Sequence, residues 1–313
     1  MSHNLPAKDR GLTRINSRVW HRGTAVDVRG LSPEEQLQAA GLDWQVLVEP
    51  FYYGENKEFT DPDKRVAYRS HDQKTISLYD KRQPWQNTQI LSTFNNFCED
   101  AGLQLAYLGS LHDQNTLYAA AKLEADSHIL GSTDEINWWL ILRNSHINGK
   151  GMDVSLYSDR LVCTNGMRSV IRDNRKVITH VGEFNHDRVT NILKTAIRTI
   201  HQQETELETL AKQSITKEEA VALILSAYGE AGKSVEDQPP VVQTILRLFN
   251  GGGLGSDMLT AYNTAYGLLQ ATTEYFNWHM KNTSGAFASI LDGSRASSMN
   301  KMREQLVGVY ARS

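Results

Sequence analysis

The sequence contains few of the residues from which easily recognised catalytic or metal sites are built. Its 313 residues include two cysteines, Cys98 and Cys163, which are too few for a disulfide framework or a common zinc site. The ten histidines form no His-x-x-x-His or His-x-His pair, and the carboxylates form no cluster typical of a two-metal nuclease. We therefore expect no cofactor and no dedicated metal site, although a metal site assembled from distant loops stays open.

Long apolar runs are also missing. No stretch approaches the roughly 18 to 20 apolar residues that a membrane span requires, so we expect no integral membrane protein. Residues 1–18 have no apolar core of the kind found in secretory signals, and we predict a basic flexible arm there. With so little cysteine, these features favour a reducing, cytoplasmic setting.

The net charge of −3 excludes a protein that coats nucleic acid over its whole surface, but the charge is unevenly distributed. Residues 8–29 hold six basic and two acidic side chains, and residues 160–176 hold five basic and one acidic. Such local basic stripes can bind phosphate backbones. The alternative is that both stripes are solvated faces balanced by acidic neighbours in three dimensions.

The alternation of apolar and polar residues predicts a mainly antiparallel α+β domain over residues 19–184. Ser32, Pro33 and Gly41 are typical of the start and end of a short helix, and apolar spacing predicts a second helix from Thr88 to Gly102. The predicted strands cover residues 44–53, 66–70, 75–79, 103–108, 116–123, 137–143 and 152–157. Residues 54–64 are predicted to form a charged loop.

From Asn185 onward the apolar spacing becomes helical, which predicts an all-helical region over residues 185–313 that we expect to supply subunit contacts. The predicted helices are residues 187–213, residues 216–228, one beginning at Pro239, one from Asp257 to about Met280, and a last one opening at Ser297 or Ser298.

Basic and aromatic residues concentrate around the predicted hairpin that reverses at Asn148, Gly149 and Gly151. The consecutive residues Trp138 and Trp139 must point to opposite faces of their strand, so one indole needs cover from another element, a subunit or a ligand. Stacked bases are one such cover, and a helix of the same chain is the other. The predicted phosphate contacts are Arg143, Lys150, Arg160, Arg168, Arg172, Arg175 and Lys176, and the predicted base contacts are Trp138, Trp139 and Tyr157.

Two further motifs favour structural roles. The run Gly251-Gly252-Gly253-Leu254-Gly255 follows a predicted helix rather than a strand, and no Gly-Lys-Ser/Thr comes after it, which favours a helix end and turn over a phosphate loop. Cys163 continues a predicted strand, where a small buried thiol is common. An enzyme with a site dispersed over His146, Asn144, Cys163 and Asn165 is kept as a third possibility.

Six internal segments and a C-terminal one keep their order along nearly the whole chain: residues 20–24 (WHRGT), 40–44 (AGLDW), 86–87 (QN), 109–111 (GSL), 143–146 (RNSH), 160–165 (RLVCTN) and 271–275 (ATTEY). Together they resemble the phage/plasmid-like proteins, a family carried by phages, plasmids and prophages and described as a domain of unknown function. One departure lies at residues 20–24, where that family usually has Trp-His-Gly-Leu-Gly-Thr.

The resemblance implies a protein of a mobile genetic element and raises the expectation of a role in DNA metabolism. In outline the predicted fold is also similar to ring- or filament-forming strand-annealing proteins. The first hypothesis is therefore a non-enzymatic protein that binds single-stranded DNA as a homo-oligomer, with a possible part in recombination or annealing. The second is a mobile-element protein that binds a host protein, as a host-takeover or counter-defence module.

Overall fold

The computed structural model describes residues 25–80, 82–160, 165–169, 183–281 and 286–311, with backbone alone for residues 124–127, 165–169 and 292. Antiparallel strands occupy the first part of the chain and helices the second, which confirms the predicted α+β class.

The larger sheet places its strands in the antiparallel order β1-β5-β6-β7-β8-β9. Residues Ile136 to Asn144 of β7 pair with Arg160 to Met152 of β8, and this confirms the predicted hairpin. The reversal uses Gly149 at φ 78°, a left-handed conformation that glycine adopts without strain. The strands are β1 Val26–Asp27, β2 Val46–Tyr53, β3 Phe59–Arg69, β4 Thr75–Tyr79, β5 Gln104–Leu111, β6 Thr116–His128, β7 Glu135–Ser145, β8 Met152–Arg160 and β9 Asn165–Ser169.

A smaller sheet is formed by β2, β3 and β4 in that order. It contains the predicted hairpin of residues 66–79, but β3 begins seven residues earlier than predicted, at Phe59. The charges and the single proline, Pro62, of residues 54–64 hid this part of the strand from the pattern. Pro50 lies in β2, an edge strand, where a missing N–H group costs no ladder hydrogen bond.

The helices begin and end mostly where caps predict them. Ser32 and Thr216 both form capping boxes, with Glu35 and Glu219 respectively. The helices are α1 Pro33–Ala40, α2 Asn87–Asp100, α3 His186–Arg198, α4 Ile200–Lys212, α5 Lys217–Tyr228, α6 Pro240–Arg247, α7 Ala265–Glu274, α8 Ala286–Asp292 and α9 Ser294–Tyr310.

Three helix predictions are wrong in their bounds. Residues 187–213 form two helices rather than one, because the chain turns at Thr199, whose hydroxyl donates to the carbonyl of Ala196 at 2.7 Å. The helix predicted from Asp257 begins at Ala265, after Asn263 takes a left-handed φ of 51°. The last helix begins at Ser294, before the predicted Ser297.

The two tryptophans of β7 point to opposite faces of the larger sheet, as predicted. Trp138 shares its face with its partners Leu123 and Ser158, and Trp139 shares the other face with Lys122 and Tyr157. Both indoles are buried. Strand β7 is therefore covered on both faces of the sheet at this point.

A buried ion pair joins the sheet to the helical region. Arg160, the last residue of β8, binds both carboxylate oxygens of Asp134 at 2.6 and 2.7 Å. The Thr260 hydroxyl donates to the same carboxylate at 2.6 Å, and Arg160 also donates to the carbonyl of Gly255 at 3.2 Å. Its guanidinium lies over the ring of Tyr266, 5.4 Å from the centroid. Residues from before β7 and from the end of β8 are thus tied to the segment before α7.

Loss of this arginine should be costly, because it leaves a buried carboxylate without its counter-charge. Arg160→Leu is expected to lower the free energy of unfolding by about 3 to 5 kcal/mol, measured by urea denaturation. The double change Arg160→Leu with Asp134→Leu should lower the free energy of unfolding by less than the single change, because it leaves no unpaired carboxylate buried. Lys64→Ala, which removes an exposed pair with Asp80, is the control and should leave the unfolding midpoint unchanged. Equal unfolding midpoints for wild type and Arg160→Leu would contradict a stabilising role for the buried Arg160–Asp134 pair.

Candidate interaction surface

The aromatic residues predicted to stack on bases are buried inside the molecule. Trp138, Trp139 and Tyr157 are each at most 5% exposed. The Trp139 indole donates to Asp159 at 2.6 Å, and its ring lies 5.6 Å from that of Tyr107. Stacking on a base needs an open ring face, and none of the three offers one in this conformation. The cover is supplied by the chain itself, which was the alternative left open by the sequence.

The two arginines of the hairpin that the structure describes are engaged with carboxylates. Arg143 pairs with Asp153 directly across the two strands, and Arg160 pairs with Asp134. Both arginines are buried. A buried guanidinium that is already bound to a carboxylate has little to offer a phosphate, so these two positions serve the fold.

Two of the other predicted phosphate contacts, Lys150 and Arg168, lie in the part of the chain that the structure describes. Lys150 is exposed in the turn between β7 and β8. Arg168 lies on β9, the last strand of the sheet order. Arg172, Arg175 and Lys176 lie outside the described residues. The DNA-binding prediction for these five basic residues stays a prediction.

His146, one of the residues of the dispersed-site hypothesis, is fully buried at the end of β7. Its Nε2 lies 2.9 Å from Oδ1 of Asn87, and its ring meets the edge of Trp44 at 5.5 Å between centroids. Burial lowers the pKa of His146 to about 3, with the nearby Arg82 charge acting in the same direction. The imidazole is therefore neutral and closed to a substrate in this conformation. Asn144 is buried beside it, Asn165 opens β9, and Cys163 lies outside the described residues.

The neighbours of His146 attach the small sheet to the large one. The Tyr79 hydroxyl donates to the carbonyl of His146 at 2.5 Å, and Arg82 donates to the carbonyls of Ser145 and Ile147. The side chain of Arg69 binds the carbonyl of Asp113 at 2.5 Å. These bonds cross from β3, β4 and the segment after β4 to the end of β7 and the turn before β6. They fix the direction in which the small sheet points.

Beyond this attachment the small sheet extends as a β-hairpin arm, residues 51–61. The register shifts between Pro50 and Phe51, and the arm then pairs Tyr53 with Phe59 across its two strands. The rings of Phe51 and Tyr53 stack with centroids 6.2 Å apart, and those of Tyr53 and Phe59 with centroids 5.5 Å apart. Half of the surface of Tyr53 (51%) and of Phe59 (53%) is exposed, and Tyr52 on the opposite face is 48% exposed. Exposed aromatic clusters of this kind mark interaction sites.

The arm is acidic. Between residues 49 and 63 the chain carries five carboxylates and one lysine, a net charge of −4. Glu58 accepts a hydrogen bond from the backbone of Asn56 at 2.8 Å, and Glu49 accepts one from the Tyr68 hydroxyl at 2.5 Å. The aromatic surface is thus surrounded by negative charge. This surface is not predicted from the sequence, because the charges of residues 54–64 predict a loop. The available signal is the run of three aromatic residues 51–53 followed by Phe59.

A shallow pocket lies where the segment before α2 meets the start of α3. Its walls include Trp85, Gln89, Phe184 and His186. His186 Nδ1 lies 2.6 Å from the Thr93 hydroxyl, and Phe184 meets Trp85 edge to face at 5.1 Å. These contacts join α2 to the start of α3, and Glu183 also lines the pocket. Within the described ranges, no three His, Cys, Asp or Glu side chains are placed to hold a metal ion.

The chain belongs to the family described as a domain of unknown function (DUF932), which matches residues 78–305. This confirms the broader part of the resemblance noted in the sequence. No curated protein and no solved structure matches the chain significantly. Within the described residues, no helix has both the length and the apolar character needed to cross a bilayer. The arm, residues 51–61, lies outside the matched residues, so the family match carries no information about it.

Asp159, which accepts the Trp139 hydrogen bond, gives a pH-dependent prediction. Burial raises the pKa of Asp159 to about 6, against the lowering effect of the hydrogen bonds from Trp139 and Asn137. A group whose pKa is raised on folding contributes stability below its unfolded pKa of 3.8, and this contribution is lost as the pH rises through about 6. Asp159→Asn does not titrate. Its free energy of unfolding relative to wild type should therefore rise by roughly 2 to 3 kcal/mol between pH 4 and pH 7.

Urea denaturation of both proteins across this range measures the difference. Asp153→Asn, at a more exposed carboxylate on the same strand, is the comparison variant. A difference between Asp159→Asn and wild type that stays constant with pH would show that Asp159 is not held in a desolvated site.

Proposed function

We propose that this chain is a binding protein whose working surface is the β-hairpin arm and whose ligand is a protein. The observation that supports this most strongly is the ring stack of Phe51, Tyr53 and Phe59, in which Tyr53 and Phe59 are half exposed. Aromatic side chains bury large areas with little loss of conformational freedom, and they are enriched among the residues that dominate binding energies. The buried His146 and Asn144 give no comparable support to a catalytic function.

The charge of the arm favours a protein over a nucleic acid. Base-stacking surfaces work together with cations that hold the phosphates. On the arm, Lys57 is accompanied by Glu55 and Glu58, and the net charge of −4 over residues 49–63 repels a polyanion. A basic or apolar protein surface meets no such penalty, because complementary charge speeds association and aligns the partners.

The setting we propose is a mobile genetic element. Its support is the resemblance to the phage/plasmid-like proteins along residues 20–275. The protein would act in the cytoplasm of the host cell. Its partner would then be either a host protein or another copy of the chain.

Single-stranded DNA binding is the second candidate function, and one observation favours it. Strand β9 is the last strand in the order of the larger sheet, carries Arg168, and is followed in sequence by Arg172, Arg175 and Lys176. In this proposal the DNA surface would include β9, where Arg168 pairs with Tyr157 of β8. Affinity for a fluorescent oligonucleotide should then fall steeply with salt, and Arg172→Ala with Arg175→Ala should flatten that dependence. Substitutions in the arm should leave the affinity for the oligonucleotide and its salt dependence unaltered.

Photo-crosslinking from the arm tests the protein-binding function directly. A benzophenone amino acid in place of Tyr53 should give adducts that resist nuclease and are cleaved by protease, because the ring lies against a bound protein. The same amino acid in place of Val309, which is similarly exposed on α9, should give few adducts. Gel migration and mass spectrometry of cells expressing the chain read the result.

Three other outcomes are informative. Adducts from position 53 that disappear with nuclease would replace the protein ligand by a nucleic acid. Equal labelling from positions 53 and 309 would indicate random collision. Absence of adducts from position 53 would contradict the proposed function.

A further inference from the structure

A second exposed apolar surface lies in the loop before α7, residues 253–263, here named the apolar loop. Leu254 is 59% exposed, Leu259 is 94% exposed and Tyr262 is 63% exposed. Asp257 is the single charged residue between residues 248 and 273. A nearly fully exposed leucine in an uncharged stretch is unusual unless another surface covers it.

The apolar loop is held firmly from behind, so its exposed side chains are presented in a fixed arrangement. The Leu254 N–H donates to the buried Glu274 carboxylate at 3.0 Å. Arg160 and Asp134 hold the carbonyl of Gly255 and the hydroxyl of Thr260. The backbone of Asn263 accepts from Ile215 at 2.9 Å. A surface ordered before binding loses less conformational entropy when it binds.

The apolar loop and the arm lie at opposite ends of β7. Asp134, which binds Thr260 of the loop, comes directly before β7. His146, which anchors the small sheet through Tyr79, comes directly after it. At about 3.3 Å per residue, the eleven residues of β7 separate these two attachment points by roughly 35 Å.

We infer that the protein bound by the arm is a second copy of this chain, docked head to tail so that the arm of one copy covers the apolar loop of the next. This inference rests on the proposed protein-binding function and names its partner. Two different surfaces at opposite ends of one molecule form a heterologous contact, which extends into a filament or closes into a ring.

Charge favours this pairing over the contact of two arms. Two arms, each with a net charge of −2 over residues 51–61, repel each other, whereas the apolar loop carries a single negative charge, on Asp257. Next to the loop, Arg247 is exposed, and its side chain lies beside Gly252. The arm therefore meets less repulsion and one added positive charge at the loop of a second copy.

Mixing two defective variants tests the head-to-tail contact. Tyr53→Ser with Phe59→Ser removes the arm rings but keeps the loop. Leu259→Ser with Tyr262→Ser removes the loop side chains but keeps the arm. In sedimentation velocity, wild type should form oligomers that grow with concentration, and each variant alone should stay monomeric. An equimolar mixture should restore a single dimer that grows no further, because it contains one intact arm-to-loop contact.

Val309→Ser, at an exposed position on α9, is the matched control and should associate as wild type does. Circular dichroism should show that each variant is folded, because all five substituted side chains are exposed. Association of either variant alone, or a mixture that stays monomeric while wild type associates, would overturn the head-to-tail arrangement.

A wild-type chain that stays monomeric at its solubility limit would also overturn this inference, yet it would leave the protein-binding function standing if position 53 still crosslinks to another protein. If the chain neither self-associates nor crosslinks to any protein from position 53, both the head-to-tail contact and the protein-binding function are wrong.

Discussion

The pairing of Arg160 with Asp134 is the interaction on which the arrangement of the molecule depends. Both side chains are buried, and a desolvated charge is tolerated in a protein only with its counter-charge and hydrogen bonds in place. Asp134 meets this requirement by binding Arg160 of the sheet and Thr260 of the helical region. The pair therefore fixes where the segment before α7 lies on the sheet, and it explains why an arginine that the sequence offers as a DNA contact is unavailable for one.

A second buried network, around His146, fixes the other end of the same strand. It consists of side chains that bind backbone carbonyls, such as Tyr79 to His146 and Arg82 to Ser145. Each donor would lose a hydrogen bond if the small sheet moved, and an unsatisfied buried donor costs free energy. The arm and the apolar loop are prominent exposed apolar surfaces of the described residues. Each is attached to one of the two buried networks at the ends of β7, and so is held in a fixed position.

The fold class and most element positions could be predicted from sequence because they follow from local patterns. The capping boxes at Ser32 and Thr216 and the turn at Gly149 are examples. The start of α7 could not be predicted, because the turns of residues 253–263 depend on contacts outside the loop. Thr260 binds Asp134, far earlier in the chain, and Leu254 binds Glu274, after the loop. The exposure of the hairpin rings could not be predicted either, because it also depends on contacts between residues that are distant in sequence. Whether Trp139 is open to a base or bonded to Asp159 depends on strand pairing and on what covers each face.

Oxidative footprinting of the purified chain, with its products located by mass spectrometry, tests the central claim most directly. The central claim is that the aromatic rings of the arm contact the binding partner, whereas the aromatic rings of the β7–β8 hairpin belong to the core. In dilute protein, Tyr52, Tyr53 and Phe59 should oxidise rapidly and become protected as partners bind, while Trp138, Trp139 and Tyr157 stay unmodified throughout. Rapid oxidation of Trp138 or Trp139 in dilute protein, with protection by an added single-stranded oligonucleotide, would contradict the account.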